Sequence, residues 1–355
     1  MKNLLLIASL LCSVPLMAQT KVVKKTATKS NNFGITYSLP KTSLVVNVEV
    51  TKVTCEAGPY YRYAEKYLGV KDAVTEDKVY YELGKVNLIN KGLPDPDNTY
   101  IVEFKSGTVA PYAYLTEDGL LCAINGEYTP EETTTDTDSR SQGSSSGLPS
   151  VSVFSEELLM AGSTAREAEV AARQIYRIRE SRMNILTGEA DNLPPDGEAM
   201  KLVIQQLEEQ EKALTSLFTG NLVKETTYYD VNIIPYDNLE REVLFRFSNR
   251  LGILPADDLG GVPVYMNLKA TDRAPAMDPK EAEKKERSLK GIVYNVPGKA
   301  AIEILMNKNT LYKGEAQVVQ FGTKEGLAPI MFDDKRAPVK VFFYPETGAI
   351  KQIIQ

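Results

Sequence analysis

The hydrophobic pattern changes period twice along the chain. From Thr42 the apolar positions cluster on β-branched residues or alternate; between Ser163 and Gly220 they recur at steps of three, four and seven; from Val223 they alternate again. A period of two sends successive side chains to opposite faces of a strand, and a period near 3.6 keeps them on one face of a helix. The chain therefore reads as α+β, with two antiparallel β units flanking a long antiparallel helical hairpin.

Residues 33–128 are expected to form the first β-rich unit. Thr42–Val53 carries Leu44, Val45, Val46, Val48, Val50 and Val53, a run suited to a buried strand. Lys78–Asn90 is a second strand, and Asp95-Pro96-Asp97-Asn98 predicts a turn before a third, Thr99–Phe104. The acidic spacing of that turn lacks the central Gly and final Glu of a calcium loop. Thr116–Gly119 predicts another turn, and Tyr60, Tyr63, Ala64 and Tyr67 have helical spacing, predicting a short helix packed on the sheet.

In the hairpin, residues 151–222, Thr164 and Glu167 have capping-box spacing, and Ala168, Ala172, Ile175, Ile178, Ile185 and Leu186 form a stripe ended by Gly188. Pro194 and Pro195 close the turn, and Asp196 is the expected cap of the second helix. Its stripe is Met200, Val203, Ile204, Leu207, Leu214, Leu217 and Phe218, stopped by Gly220. The first helix is rich in arginine, at 166, 173, 177, 179 and 182, and the second carries Glu208, Glu209 and Glu211. Ion pairs between the helices are the expected use of these charges. Arg173, Arg177, Arg179 and Arg182, with Glu189 and Asn192 near the tip, form the candidate partner surface.

Residues 223–355 hold the second β-rich unit, with strand patterns at 223–234, 243–247, 262–268, 291–296, 300–306, 316–321, 339–344 and 350–354. They suggest a sandwich or two small sheets. Pro345-Glu346-Thr347-Gly348 predicts a hairpin turn, and the charged segment 278–290 predicts a solvated insertion, helical or flexible. Between the units, residues 129–150 are rich in Ser, Thr, Gly and acidic residues and predict a disordered linker.

Residues 1–18 have the layout of a signal peptide: Lys2, an apolar run from Leu4 to Leu11, and Ala18 before Gln19. Leu11 precedes Cys12 where lipid attachment needs a small residue, so soluble export is expected. Residues 19–32 read as a flexible leader. Removing residues 1–18 takes away only Lys2 and leaves 40 basic against 47 acidic residues, a net charge of −7 over 337 residues. That acidity argues against nucleic acid as the main partner, and no later segment has the length of a transmembrane span. Cys55 and Cys122 remain, as a candidate disulfide or as two buried thiols.

The chain has no histidine, which removes the commonest general base and the usual zinc ligands. Neither a phosphate loop nor a dinucleotide fingerprint occurs. Ser38-Leu39-Pro40-Lys41 has a Ser-x-x-Lys spacing but leads into strand sequence rather than a helix. Asp257-Asp258 and Asp333-Asp334 supply carboxylates in turn-like sequence. No catalytic residue and no cofactor is assigned. The leading expectation is a non-catalytic binding or scaffold protein that meets another envelope protein, with a glycan-binding or glycan-active protein using carboxylates and tyrosines as the alternative.

Gly58-Pro59-Tyr60-Tyr61-Arg62-Tyr63-Ala64, the segment Ala165–Leu186, and Gly291-Ile292-Val293-Tyr294-Asn295-Val296-Pro297-Gly298 together resemble an uncharacterised family of exported proteins from Bacteroides and relatives. The resemblance covers nearly the whole mature chain. It implies a periplasmic or outer-membrane-associated address in a Gram-negative bacterium and transfers no functional residue.

Overall fold

The computed structural model describes residues 21–24, 34–103, 113–129, 154–190, 197–332 and 339–354. The strands are β1 (Lys21–Lys24), β2 (Gly34–Glu56), β3 (Lys78–Glu103), β4 (Ala113–Leu115), β5 (Leu121–Ile124), β6 (Asn221–Ile233), β7 (Leu239–Ser248), β8 (Gly252–Leu254), β9 (Val262–Asp272), β10 (Ile292–Met306), β11 (Asn309–Leu327), β12 (Lys340–Phe343) and β13 (Ile350–Ile354). The helices are α1 (Ala64–Leu68), α2 (Glu156–Leu159), α3 (Thr164–Thr187), α4 (Gly197–Thr219) and α5 (Pro279–Ser288). The expected signal peptide, the linker apart from Thr129, and Asp196, Asn192, Asp333 and Asp334 fall outside the described residues.

Three sheets form, with orders β1-β3-β2-β6, β11-β10-β9-β7-β8 and β13-β12-β5-β4, and every pairing within them is antiparallel. Strands from both sides of residues 129–150 share sheets: β6 pairs with β2, and β12 pairs with β5. The N-terminal and C-terminal β stretches therefore interleave instead of forming separate units. The sequence pattern marks strands but not their partners. Lys21–Lys24, within the stretch read as a leader, pairs with the end of β3.

Alternation explains the main core. Leu44, Val46, Val48 and Val50 of β2 meet Val264, Met266 and Leu268 of β9 and Ala300, Ile302 and Ile304 of β10, so the first sheet stacks on the second. Burying each large aliphatic side chain contributes about 1.5–3 kcal/mol. At the other end of β2, Tyr37 and Leu39 join Tyr100, Val341 and Phe343 in a second core over the third sheet. The Tyr37 hydroxyl both donates to the Val293 carbonyl and accepts from the Val293 amide, at 3.1 and 2.9 Å, tying β2 to β10. Burial drives its pKa up.

A third core holds the helices. Ala168, Val170, Ala171, Ala172 and Ile175 from the start of α3 meet Leu214, Leu217 and Phe218 from the end of α4, with Tyr60, Ala64 and Leu158. Tyr60 packs on Phe218 at 5.5 Å between ring centroids, so the short tyrosine helix seats on the helix pair and not on the sheet. Burial, then Glu167, pushes the Tyr60 pKa up to about 12. Ser163, one residue before the expected cap, caps α3 by accepting from the Arg166 amide, and Gly188 closes it in the left-handed conformation.

Cys55 and Cys122 are free, buried thiols and are not bonded to each other. One lies near the end of β2 and the other in β5, strands of different sheets. Burial pushes the Cys122 pKa up to about 11, away from the thiolate form. Alkylation of unreduced protein, followed by peptide mapping, should label both residues only after unfolding. A Cys55–Cys122 cross-linked peptide would contradict the structure.

Candidate functional site

Two features stand out: the outer half of the α3–α4 pair, and a cleft under α5. The helices run antiparallel, since Arg179 pairs with Glu211 at 2.6 Å while Arg182 reaches Glu211 at 2.9 Å and Glu208 at 3.6 Å. Arg173 instead pairs with Glu169 on its own helix. Arg177 is exposed and makes no ion pair among the described residues, and Glu189 is exposed just past the end of α3. Four of the five α3 arginines thus have acidic partners on the pair without reaching the tip: Arg166 and Arg173 on α3 itself, Arg179 and Arg182 across to α4.

Burial along the pair is one-sided. No residue of α3 after Ile175 and none of α4 before Leu214 is buried among those described. Met183, Leu186 and Leu202 are each about 60% exposed, and Tyr176 and Val203 are exposed as well. The sequence stripes predicted Leu186 and Val203 as inward-facing. The outer turns have only the opposite helix to pack on, and two helices cannot enclose a full apolar stripe.

The cleft of about 320 Å³ lies between α5 and the open ends of two sheets. It coincides with two strand irregularities. In β3, residues 95–98 bulge opposite the single residue Leu39, and in β11, residues 319–322 bulge opposite Pro297. Side chains repair the broken ladders. Gln320 pairs through its amide with both the N–H and C=O of Thr42, and the Thr42 hydroxyl accepts from the Val319 amide. Buried Asn295 donates to the carbonyls of Pro40 and Thr347.

Lys324 is the cleft's central charge. Its Nζ donates to Asn98 Oδ1 at 2.7 Å and Glu286 Oε1 at 2.9 Å, fastening α5 to the sheets. Asp95 accepts from the Asp97 amide and from Asn98 Nδ2. Behind these groups the Tyr100 hydroxyl is buried with no partner at hydrogen-bonding geometry. Burial first, then Glu286 and Asp95, drives its pKa up. The signals were present in the sequence as a Pro-Gly step inside β10, Gly322 inside β11 and a turn sequence inside β3, each a mark of an interrupted ladder.

The expected carboxylate pair does not join this cleft. Asp257 and Asp258 lie in an exposed turn after β8, where Asp258 accepts from the Gly260 amide. No group of three or more His, Cys, Asp or Glu is placed to hold a metal among the described residues. No helix among them is long and apolar enough to cross a membrane.

A family model described as a domain of unknown function, DUF4831, matches residues 33–351. No curated protein and no solved structure matches the chain.

Proposed function

We propose that this protein, which belongs to the DUF4831 family, is an exported, non-catalytic binding or scaffold protein of a Gram-negative cell envelope, and that its long α3–α4 hairpin is an arm that meets another envelope protein. The observation that carries this reading is the one-sided burial of the pair. Its base is packed while its outer turns present Met183, Leu186 and Leu202 to solvent. The unpacked part of α3, from Tyr176 to Thr187, extends about 18 Å at 1.5 Å per residue. Exposed apolar side chains ringed by charge are the usual composition of a protein-binding patch. The ion pairs of Arg179 and Arg182 with Glu211 hold the arm straight where no core supports it. The segment 1–18, with its charged start and apolar run, supports export.

The combined variant Met183→Ser, Leu186→Ser and Leu202→Ser separates binding from packing. It should melt within about 2 °C of the parent, because exposed positions contribute little to stability. It should also lose its place in a complex on size-exclusion chromatography of envelope extracts. A melting point lowered by more than about 5 °C would mean that these side chains are internal to the fold, and an unchanged complex would remove the arm from the interface.

A further inference from the structure

The cleft beneath α5 is chemically distinct from the arm, and its inventory points to a ligand class. Three ammonium groups line it, Lys41, Lys285 and Lys324, against two carboxylates, Asp95 and Glu286. Both carboxylates are already engaged, Asp95 by Asn98 and the Asp97 amide, Glu286 by Lys324. Lys41 and Lys285 make no ion pair among the described residues, and the Lys324 ammonium, with three protons, uses two. Free donors therefore exceed free acceptors, and the vacant electrostatic partner is an anion.

The rest of the wall limits what that anion can be. Leu39, Met277, Leu289 and Val319 give the cleft an apolar side. A phosphate or sulfate ion has nothing to place there. A volume of about 320 Å³ is at the small end of ligand sites. The site is also built: Gln320 and Asn295 are fixed by paired bonds to backbone, and Lys324 is oriented by Asn98 and Glu286. α5 closes one side yet has no buried residue, so little packing opposes its movement when a ligand enters.

We propose that this cleft binds a carboxylate bearing a short apolar group, with Lys324 and the rim lysines Lys41 and Lys285 on the carboxylate and Leu39, Met277, Leu289 and Val319 around the apolar part. Two sources offer that chemistry, a free organic acid and the C-terminal residue of a peptide. The inference is independent of the arm.

Titration calorimetry of the full chain tests it with four probes: hexanoate, N-acetyl-alanyl-leucine, the amide of that dipeptide, and inorganic phosphate. Saturable binding of hexanoate would identify a free acid, and binding of the acetyl dipeptide alone would identify a peptide end. Either supports the proposal if the amide binds at least tenfold more weakly, since the amide cannot accept the charge-assisted hydrogen bonds that the lysines offer a carboxylate. Lys324→Gln should cost roughly tenfold or more in affinity. Because that variant also frees α5, the paired change Lys41→Gln and Lys285→Gln, at a half-buried and an exposed lysine with no ion pair to lose among the described residues, serves as a second test, weakening binding without lowering the melting point. Absence of saturable binding by either acid, affinity unchanged in both lysine variants, or phosphate binding as tightly as the carboxylates would overturn it.

Discussion

Phe218→Ala is expected to lower the unfolding free energy by about 3–5 kcal/mol. Phe218 is fully buried, packs against Tyr60 with the two rings tilted, and fills the junction where α3, α4 and the segment after β2 meet. The same junction includes a backbone bond from the Tyr60 amide to the Leu217 carbonyl and another from the Val74 amide to the Thr219 carbonyl, so the backbones that frame the space are tied together and resist collapse into it. Leu207→Ala, on the outer part of α4 where nothing is buried, should cost only about 1 kcal/mol or less. Denaturant unfolding of the two variants measures the contrast. Equal losses would mean that the outer turns are as well packed as the base.

The second large effect belongs to Gly322→Ala, with an expected loss of about 3 kcal/mol or more. A Cβ at that position would overlap the Val296 carbonyl oxygen and press on the Gly298 amide and Pro297. The strands cannot part to admit it, because β10 and β11 are paired on both sides of the bulge, at Val296–Thr323 and at Gly298–Val318. The methyl group therefore distorts the wall of the cleft as well as the ladder. Gly197→Ala is the matching control: no atom lies within 4 Å of a Cβ built there, it opens α4, and the substitution should be neutral or slightly stabilising. A Gly322→Ala protein as stable as the parent would contradict the bulge.

Periodicity made individual elements legible and left their assembly hidden. The strand pattern of Thr42–Val53 and the helical stripe from Ala168 to Ile175 are plain because burial on one face imposes a period, while the same stripe beyond Ile175 holds no buried residue among those described. That β6 would pair with β2 and β12 with β5 had no local signature, since strand pairing across 165 to 219 residues depends on the whole packing. The bulges had a signature but an ambiguous one. Asp95-Pro96-Asp97-Asn98 reads equally as a turn between strands or as an excursion within one, and β3 contains it as the latter. The charged helix at 279–288 read as solvated, which its exposure matches. Its role at the cleft comes from Lys324 meeting both Glu286 and Asn98, three residues that no sequence spacing connects. The arginines of α3 showed the opposite outcome. For Arg179 and Arg182 the acidic partners are visible as Glu208 and Glu211 on the second helix, because antiparallel pairing fixes which turns face each other, whereas Arg166 and Arg173 pair with Glu169 on their own helix.

The outer half of the α3–α4 pair as a contact surface is tested most directly by placing a photo-activated cross-linking side chain at Met183 in the protein as made by its own cells, with Leu259 as a reference that is 82% exposed and lies on the β8–β9 turn. One reproducible covalent adduct is expected from position 183 that position 259 does not give. No adduct at 183, or the same adducts from both positions, would contradict it.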